Sequence, residues 1–266
     1  MRFKLTINLK TPAIIPINYQ YELSSWIYKV INNSSPEFSE WLHNIGFTEG
    51  KRNFKLFTFS QLNIPVYEIR KENERLLIKS TEISLIISFL MPEAAEKFII
   101  GLFQHQSFEL GDYISKATFQ IKCIEKLADP EWKETMKFKT ISPILISKMQ
   151  VNNEKASAIY LSPKDEGFED LFFQNLIRKY AASAIPLNLA PLATDGFATD
   201  TKFEILSEPK AKLITIKANT AQQTKIKAYQ FQFKITAPIE LMKIAYFAGA
   251  GSLNSVGLGS LNTDLQ

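Results

Sequence analysis

The chain opens on strict alternation: Phe3, Leu5, Ile7 and Leu9 are apolar, while Arg2, Lys4, Thr6, Asn8 and Lys10 are polar. A period of two sends the two sets to opposite faces, so residues 2–10 read as a half-buried strand with a charged outer side. Pro12 and Pro16 interrupt it. From Tyr21 the spacing lengthens. Leu23, Trp26, Ile27, Val30 and Ile31 fall at i, i+3, i+4, i+7 and i+8, the stripe of an amphipathic helix. Ser35-Pro36-Glu37 predicts a second helix, with Ser35 at the N-cap and Pro36 at the first position. Its stripe is Phe38, Trp41, Leu42 and Ile45, and Gly46 stops it. Phe54 to Phe59 reads as a strand, a more polar hairpin follows near 66–80, and Ile83 to Leu90 is a β-branched strand run. Pro92 starts a helix with Ala95, Phe98, Ile99, Leu102 and Phe103 turned inward, and residues 114–126 return to strand.

After a loop-like stretch at 127–133 the pattern begins again. Met136 to Ile146 is strand-like with a break at Pro143, and Phe168 to Ala184 is helical. Residues 201–208 and 211–218 read as a strand pair broken at Glu208-Pro209, and Lys225 to Ile235 alternates as one long strand. Pro238 then starts a helix with Leu241, Ile244, Ala245 and Ala248 on one face. Each half carries a late strand followed by a proline-initiated helix, Met91-Pro92-Glu93 and Ala237-Pro238-Ile239. The order β-α-β-β-α-β in the first half is that of a ferredoxin-like unit. The chain therefore reads as α+β, two tandem ferredoxin-like (RRM-like) domains, 1–130 and 131–266.

Composition narrows the class. With 266 residues, 45% of them hydrophobic and 22% charged, the chain suits one large or two ordinary globular domains. The net charge of +4, with a pI near 8.9, permits nucleic acid without proving it. Cys123 is the single cysteine, so no internal disulfide or cysteine-based zinc site can form, and a reducing cytoplasm is expected. His43 and His105 are the only histidines, and no metal centre or cofactor is expected. No apolar run nears the ~20 residues that span a bilayer, so no membrane partner is expected.

Two polar rings leave the core stripes. His43 lies well away from the stripe of its helix, towards the opposite side, and Tyr28 stands at the corresponding place on the helix before it. The local text matches, Trp26-Ile27-Tyr28 against Trp41-Leu42-His43, so both rings would share one cleft if the helices pack as a pair. The plainer reading is a surface histidine and an interface tyrosine. Lys51, Arg52 and Lys55 follow within a dozen residues. Lys210, Lys212, Lys217, Lys225 and Lys227 form a second basic set, beside Tyr229, Phe231 and Phe233, which could stack bases but more readily belong to the core. At the other end, Gly249, Gly251, Gly257 and Gly259 enclose Ser252, Asn254 and Ser255. Glycines that accept positive φ could aim N–H groups at an anion, or form only a tight turn before a final strand. No Gly-Lys-Ser/Thr follows, and Asn254 replaces the third glycine of a dinucleotide fingerprint.

Taken together, the tandem units and the G-x-G-x5-G-x-G closing loop resemble the Cas6 CRISPR RNA-processing endoribonucleases, part of the RAMP superfamily. Tyr28 in Ser-Trp-Ile-Tyr, His43 in Trp-Leu-His and Lys55 in Phe-Lys-Leu-Phe-Thr-Phe-Ser match positions that can supply a tyrosine, a histidine and a lysine at the family's cleavage site. Thr140-Ile-Ser-Pro143-Ile resembles the strand that opens the family's second domain. Leu258 stands where the loop often carries an aromatic. The resemblance spans nearly the whole chain.

It implies metal-independent cleavage of CRISPR repeat RNA in precursor transcripts. The substrate's 2′-OH would attack the adjacent phosphate, leaving 2′,3′-cyclic phosphate and 5′-OH ends. Histidine, with an unperturbed pKa near ~6.5, suits the proton transfer. His43 is assigned as general base, Lys55 as stabiliser of the pentacoordinate phosphate and Tyr28 as positioner or donor; the reverse role of His43, as acid on the leaving oxygen, stays open. The loop residues Gly249, Gly251, Ser252, Asn254, Ser255, Gly257 and Gly259, with Lys51 and Arg52, are expected to contact RNA. Family members occur as monomers and dimers, and some act within effector complexes. The alternatives are a non-catalytic repeat-RNA-binding subunit and a protein–protein scaffold.

Overall fold

In a computed structural model, which describes residues 1–152, 155–189, 201–218 and 220–263, the opening alternation becomes the central strand of a five-stranded antiparallel sheet. β1 (Arg2–Leu9) lies between β8 (Glu82–Phe89) and β10 (Lys116–Lys126), and Leu5 and Ile7 are wholly buried. The full order is β5-β8-β1-β10-β9, where β5 is Phe57–Phe59 and β9 is Ser107–Gly111. A second sheet has the order β14-β17-β11-β18, from Lys202–Ile205, Gln232–Thr236, Thr135–Thr140 and Leu261–Asn262. With β9 set aside as an added edge, both sheets read second-third-first-fourth in chain order. That shared antiparallel order is the ferredoxin-like arrangement, present twice.

Among the described residues, helices pack in both halves beside their sheets. α1 (Gln20–Ser34) buries Leu23, Trp26, Ile27, Val30 and Ile31, each such side chain contributing about 1.5–3 kcal/mol. It packs on α3 (Pro92–Gln104) and on α2 (Pro36–Asn44), which joins it through Ser35 alone. α4 (Phe168–Ala184) and α5 (Ile239–Phe247) pair in the second half.

Several local expectations are corrected. Ser35 stands at the N-cap of α2 with Pro36 after it, but its hydroxyl makes no capping bond; its carbonyl accepts from the Ser39 N–H instead. Ile45 and Phe103 are exposed although patterned as apolar. The strand expected over 54–59 is two, β4 (Arg52–Phe54) and β5, because Leu56 takes a left-handed φ of 52° and turns the chain between them. β4 pairs with β3 (Phe47–Glu49) in a separate hairpin. β2 (Ala13–Pro16) forms between the two prolines and pairs with β7 (Arg75–Ile78), which also pairs with β6 (Tyr67–Arg70), the anticipated hairpin.

In the second half the alternation of 225–235 also conceals a break. β16 (Thr224–Gln230) pairs with β15 (Lys210–Ile216), whereas β17 crosses to the main sheet after Phe231. Residues 201–208 and 211–218 therefore do not pair with each other; β14 joins β17. A further hairpin, β12 (Ser147–Asn152) with β13 (Lys155–Tyr160), carried no recognised turn signal. Tyr229, Phe231 and Phe233 are all buried, so burial rules out the base-stacking alternative.

Candidate active site

The short α1–α2 connection folds the two helices back on each other, and the two off-stripe rings meet. Tyr28 and His43 lie edge to face with centroids 5.1 Å apart and planes at 81°. Below them, Tyr28 meets Phe57 edge to face at 5.6 Å, which fixes the phenol from the core side. The Ser39 hydroxyl on α2 donates to the Tyr28 carbonyl at 3.1 Å, a bond that ties the helices beside the rings. A shallow open pocket of about 370 Å³ lies there, lined by Tyr28, Lys29, Asn32, Glu40, His43 and Asn44. A larger cavity of about 850 Å³, lined by Lys10, Pro12, Ile114 and Lys116 among others, shares none of these residues.

Lys55 reaches the same place from below. Its Nζ donates to the His43 carbonyl at 2.7 Å, so the ammonium closes the C-terminal end of α2, where unpaired carbonyls attract a cation. The Leu56 turn is what allows this: Lys55 leaves the strand direction just before Phe57 enters the sheet. Partial burial holds its ammonium below the ordinary lysine range. Burial pushes the Tyr28 phenol up to about 12, an effect partly opposed by a hydrogen bond with the Ser255 side chain. Tyr28 is thus a neutral donor at neutral pH. His43 is exposed, with Nδ1 3.0 Å from the Asn44 side-chain oxygen, which leaves Nε2 directed away from its own helix neighbour. Lys51 and Arg52 are exposed at the β3–β4 turn, on the hairpin that precedes Lys55.

The glycine-rich loop reaches this site from the far end of the chain. Gly249, Gly251, Gly257 and Gly259 all have positive φ, between 72° and 87°. The loop lies between the two sheets: Thr58 donates to the Leu258 carbonyl at 2.9 Å, and Ser24 on α1 donates to the Ser255 carbonyl at 2.6 Å. The expected nest of N–H groups is not the arrangement found. The N–H groups of Ala250, Ser252, Gly257 and Gly259 donate to the carbonyls of Gly259, Leu145, Asn254 and Pro143. Carbonyls converge instead, and what they hold is a cation, the ammonium of Lys179. Asn254 is buried and joins that cluster, while Ser252 and Ser255 are partly exposed.

Lys179, Ser24 and Thr58 were missed from sequence. Lys179 left one signal: it continues the stripe Phe172, Leu176, Lys179, Ser183, where a lysine interrupts apolar spacing. The second basic set lies on the β15–β16 hairpin. There Lys217 stands 5.9 Å over the Tyr21 ring of α1 and Lys227 5.5 Å over Tyr229. Among the described residues, no three His, Cys, Asp or Glu side chains converge as a metal site. None of the described helices is long and apolar enough to cross a membrane.

Residues 127–263 match the family model for the CRISPR associated protein Cas6, C-terminal, and residues 14–124 that for the CRISPR-associated protein Cas6, N-terminal. The chain is 29% identical over 259 residues to the CRISPR-associated endoribonuclease Cas6 1 of Methanocaldococcus jannaschii, covering 97% of this chain and 91% of that one. It is 25% identical to the CRISPR-associated endoribonuclease Cas6 of Pyrococcus furiosus, over 94% of this chain and 84% of the relative. Among solved structures, a Cas6-related protein from Pyrococcus furiosus superposes with a TM-score of 0.81 at 24% identity, covering 100% of this chain and 99% of that one. A structure of CRISPR associated protein Cas6 superposes with a TM-score of 0.76 at 28% identity, over 99% of each chain. The matched models span both ferredoxin-like units and the glycine-rich loop, and the chain belongs to the Cas6 family.

Proposed function

We propose that this protein is an endoribonuclease that cuts CRISPR repeat RNA in precursor transcripts into guide RNAs, with the RNA's own 2′-OH as nucleophile. The observation that carries the reading is the meeting of Tyr28 and His43 at an open pocket, above Lys55. Relatives named as endoribonucleases, matched over nearly the whole chain, support it. The division of labour follows the two-domain boundary we place near residue 130, in the segment between β10 and β11.

The chemistry needs three things from the protein: in-line alignment, two proton movements and stabilisation of charge on the phosphate. His43 takes the proton from the 2′-OH as the bond from that oxygen to phosphorus forms. The bond from phosphorus to the 5′ oxygen then breaks, and that oxygen takes up a proton. Lys55 spends one of its three N–H donors on the His43 carbonyl, and the others remain for a phosphate oxygen. Tyr28, held neutral by burial, orients the phosphate or donates to it. The products are a 2′,3′-cyclic phosphate and a 5′-OH, and no step uses a metal. Lys51 and Arg52, with the partly exposed Ser252 and Ser255, contact the RNA backbone; the loop glycines and Asn254 act by setting the loop's path.

Incubation with repeat RNAs, with and without EDTA, followed by end-group analysis tests the proposal. Cyclic-phosphate ends, unaffected by EDTA and lost when the scissile 2′-OH is replaced by hydrogen, are expected. Salt-dependent binding without cleavage would instead identify a non-catalytic repeat-RNA-binding subunit. A sulfur leaving atom at the 5′ position, which needs no protonation, separates the two roles of His43: it rescues His43→Ala only if His43 is the acid.

A further inference from the structure

Lys179 is 2% exposed, near the middle of α4, and it takes no part in the chemistry above. Its Nζ donates to the Gly249 carbonyl at 2.6 Å, the Gly251 carbonyl at 2.7 Å and the Asn254 side-chain oxygen at 2.7 Å. A buried ammonium is costly unless each donor is met, and here three N–H groups meet three oxygens. Those acceptors are neutral, so the arrangement is a cage for a cation and not an ion pair. Burial alone pulls the Lys179 ammonium well below the ordinary lysine value. The cage opposes that pull, because a neutral amine would turn its lone pair onto one of the three oxygens.

The cage fixes more than itself. With its oxygen on Lys179, Asn254 turns its amide nitrogen to the Ala250 carbonyl at 3.1 Å and the Leu258 carbonyl at 3.0 Å, which clips the two ends of the loop together. The next residue is Ser255. Its carbonyl accepts from the Ser24 hydroxyl on α1 at 2.6 Å, one helical turn before Tyr28, and its side chain lies on the Tyr28 side, where it partly opposes the rise of the phenol's pKa. One helix of the second half is thus connected to α1, the helix that carries Tyr28, through two consecutive loop residues, Asn254 and Ser255.

We infer that Lys179 is a positioning residue for RNA cleavage: by caging Gly249, Gly251 and Asn254 it holds Ser255 against α1 and so sets Tyr28 beside His43. This rests on the endoribonuclease reading for its effect on rate, but its effect on the loop is independent of that reading. In Lys179→Gln, which keeps a polar end but loses the three-donor ammonium, the single-turnover cleavage rate is expected to fall at least about tenfold. Affinity for a 2′-deoxy, uncleavable repeat RNA is expected to stay within about twofold. A structural defect alone would add to any other change, whereas residues acting through one another do not add. The Lys179→Gln penalty on rate must therefore vanish in a Tyr28→Phe background, while any loss of thermal stability persists.

A wild-type rate in Lys179→Gln, or an equal penalty in both backgrounds, overturns the inference. Hydrogen exchange supplies the readout that does not need cleavage. The N–H groups of Ala250, Gly257 and Gly259 should exchange at least about tenfold faster in Lys179→Gln, with β8 unchanged. If wild-type protein leaves repeat RNA intact, the endoribonuclease reading fails while exchange still decides the cage; unchanged loop exchange sinks it. Should Lys179→Gln not fold, Ser24→Ala, which removes the hydrogen bond from α1 to the Ser255 carbonyl, carries the test. It must slow cleavage without weakening binding, and a wild-type rate there overturns the connection to Tyr28.

Discussion

Tyr28 and His43 stand edge to face, 5.1 Å between ring centroids, although each belongs to a different helix and neither faces the core stripe of its own. Two exposed or half-exposed polar rings on separate helices meet only if something aligns the helices, and Ser35, the Ser39 hydroxyl and Phe57 do so. The contact leaves the imidazole exposed and the phenol partly buried. That asymmetry suits a mobile proton carrier beside a fixed donor.

His43→Ala should abolish cleavage, a loss of about 10²–10⁴-fold or more for a residue that moves a proton in the transition state. RNA affinity should survive, because the ring is one contact among many on the backbone. Single-turnover rates and filter binding on the same preparations separate the two effects; retained cutting would remove His43 from the chemistry. Tyr28→Phe keeps the ring packing on Phe57 and should cost less.

The pH dependence of cleavage has a definite sign on its alkaline side. Lys55 is held below lysine's ordinary 10.5 by burial, so it loses its charge at a lower pH than a free lysine would. Tyr28, pushed up to about 12, keeps its proton throughout that range. The rate should therefore decline along a limb that begins below pH 10.5, from loss of the Lys55 charge. Lys55→Arg should lack this limb, since guanidinium stays charged, whereas Tyr28→Phe should keep it. A limb that persists in Lys55→Arg assigns the alkaline loss to another group.

Chemistry at the ends of the chain was more legible than topology in its middle. Helical angle put Tyr28 and His43 off their core stripes, because a 100° advance per residue is a reliable ruler over two short helices, but paired them only on the condition that the helices pack together. The breaks at Leu56 and Phe231 could not be read. Neither residue is a turn former, and alternation on both sides of a break looks like one continuous strand. The loop was found from its glycines but misread in polarity, since positive φ permits N–H groups or carbonyls to converge and only the buried Lys179 decides which. That lysine lies 70 residues from Gly249, a distance over which spacing carries no information.

Gly259 offers the sharpest test of the loop as built. Its φ is +72°, and a Cβ there would stand 1.9 Å from the Ala250 carbonyl oxygen, a backbone atom that also lies near the Asn254 clip. Gly259→Ala therefore combines a left-handed backbone penalty with a clash that no side-chain rotation relieves, and should destabilise the protein by roughly 2–5 kcal/mol. Gly50 isolates the first of these terms: its φ is +56°, but a Cβ there meets nothing within 4 Å. Gly50→Ala should cost about 1 kcal/mol. Urea unfolding midpoints at constant slope measure both. Because the loop also holds Ser255 against α1, folded Gly259→Ala should bind repeat RNA yet cut it slowly, while Gly50→Ala should cut at the wild-type rate. Equal losses in the two variants would mean that backbone conformation, and not the packing of the loop against Ala250, sets its stability.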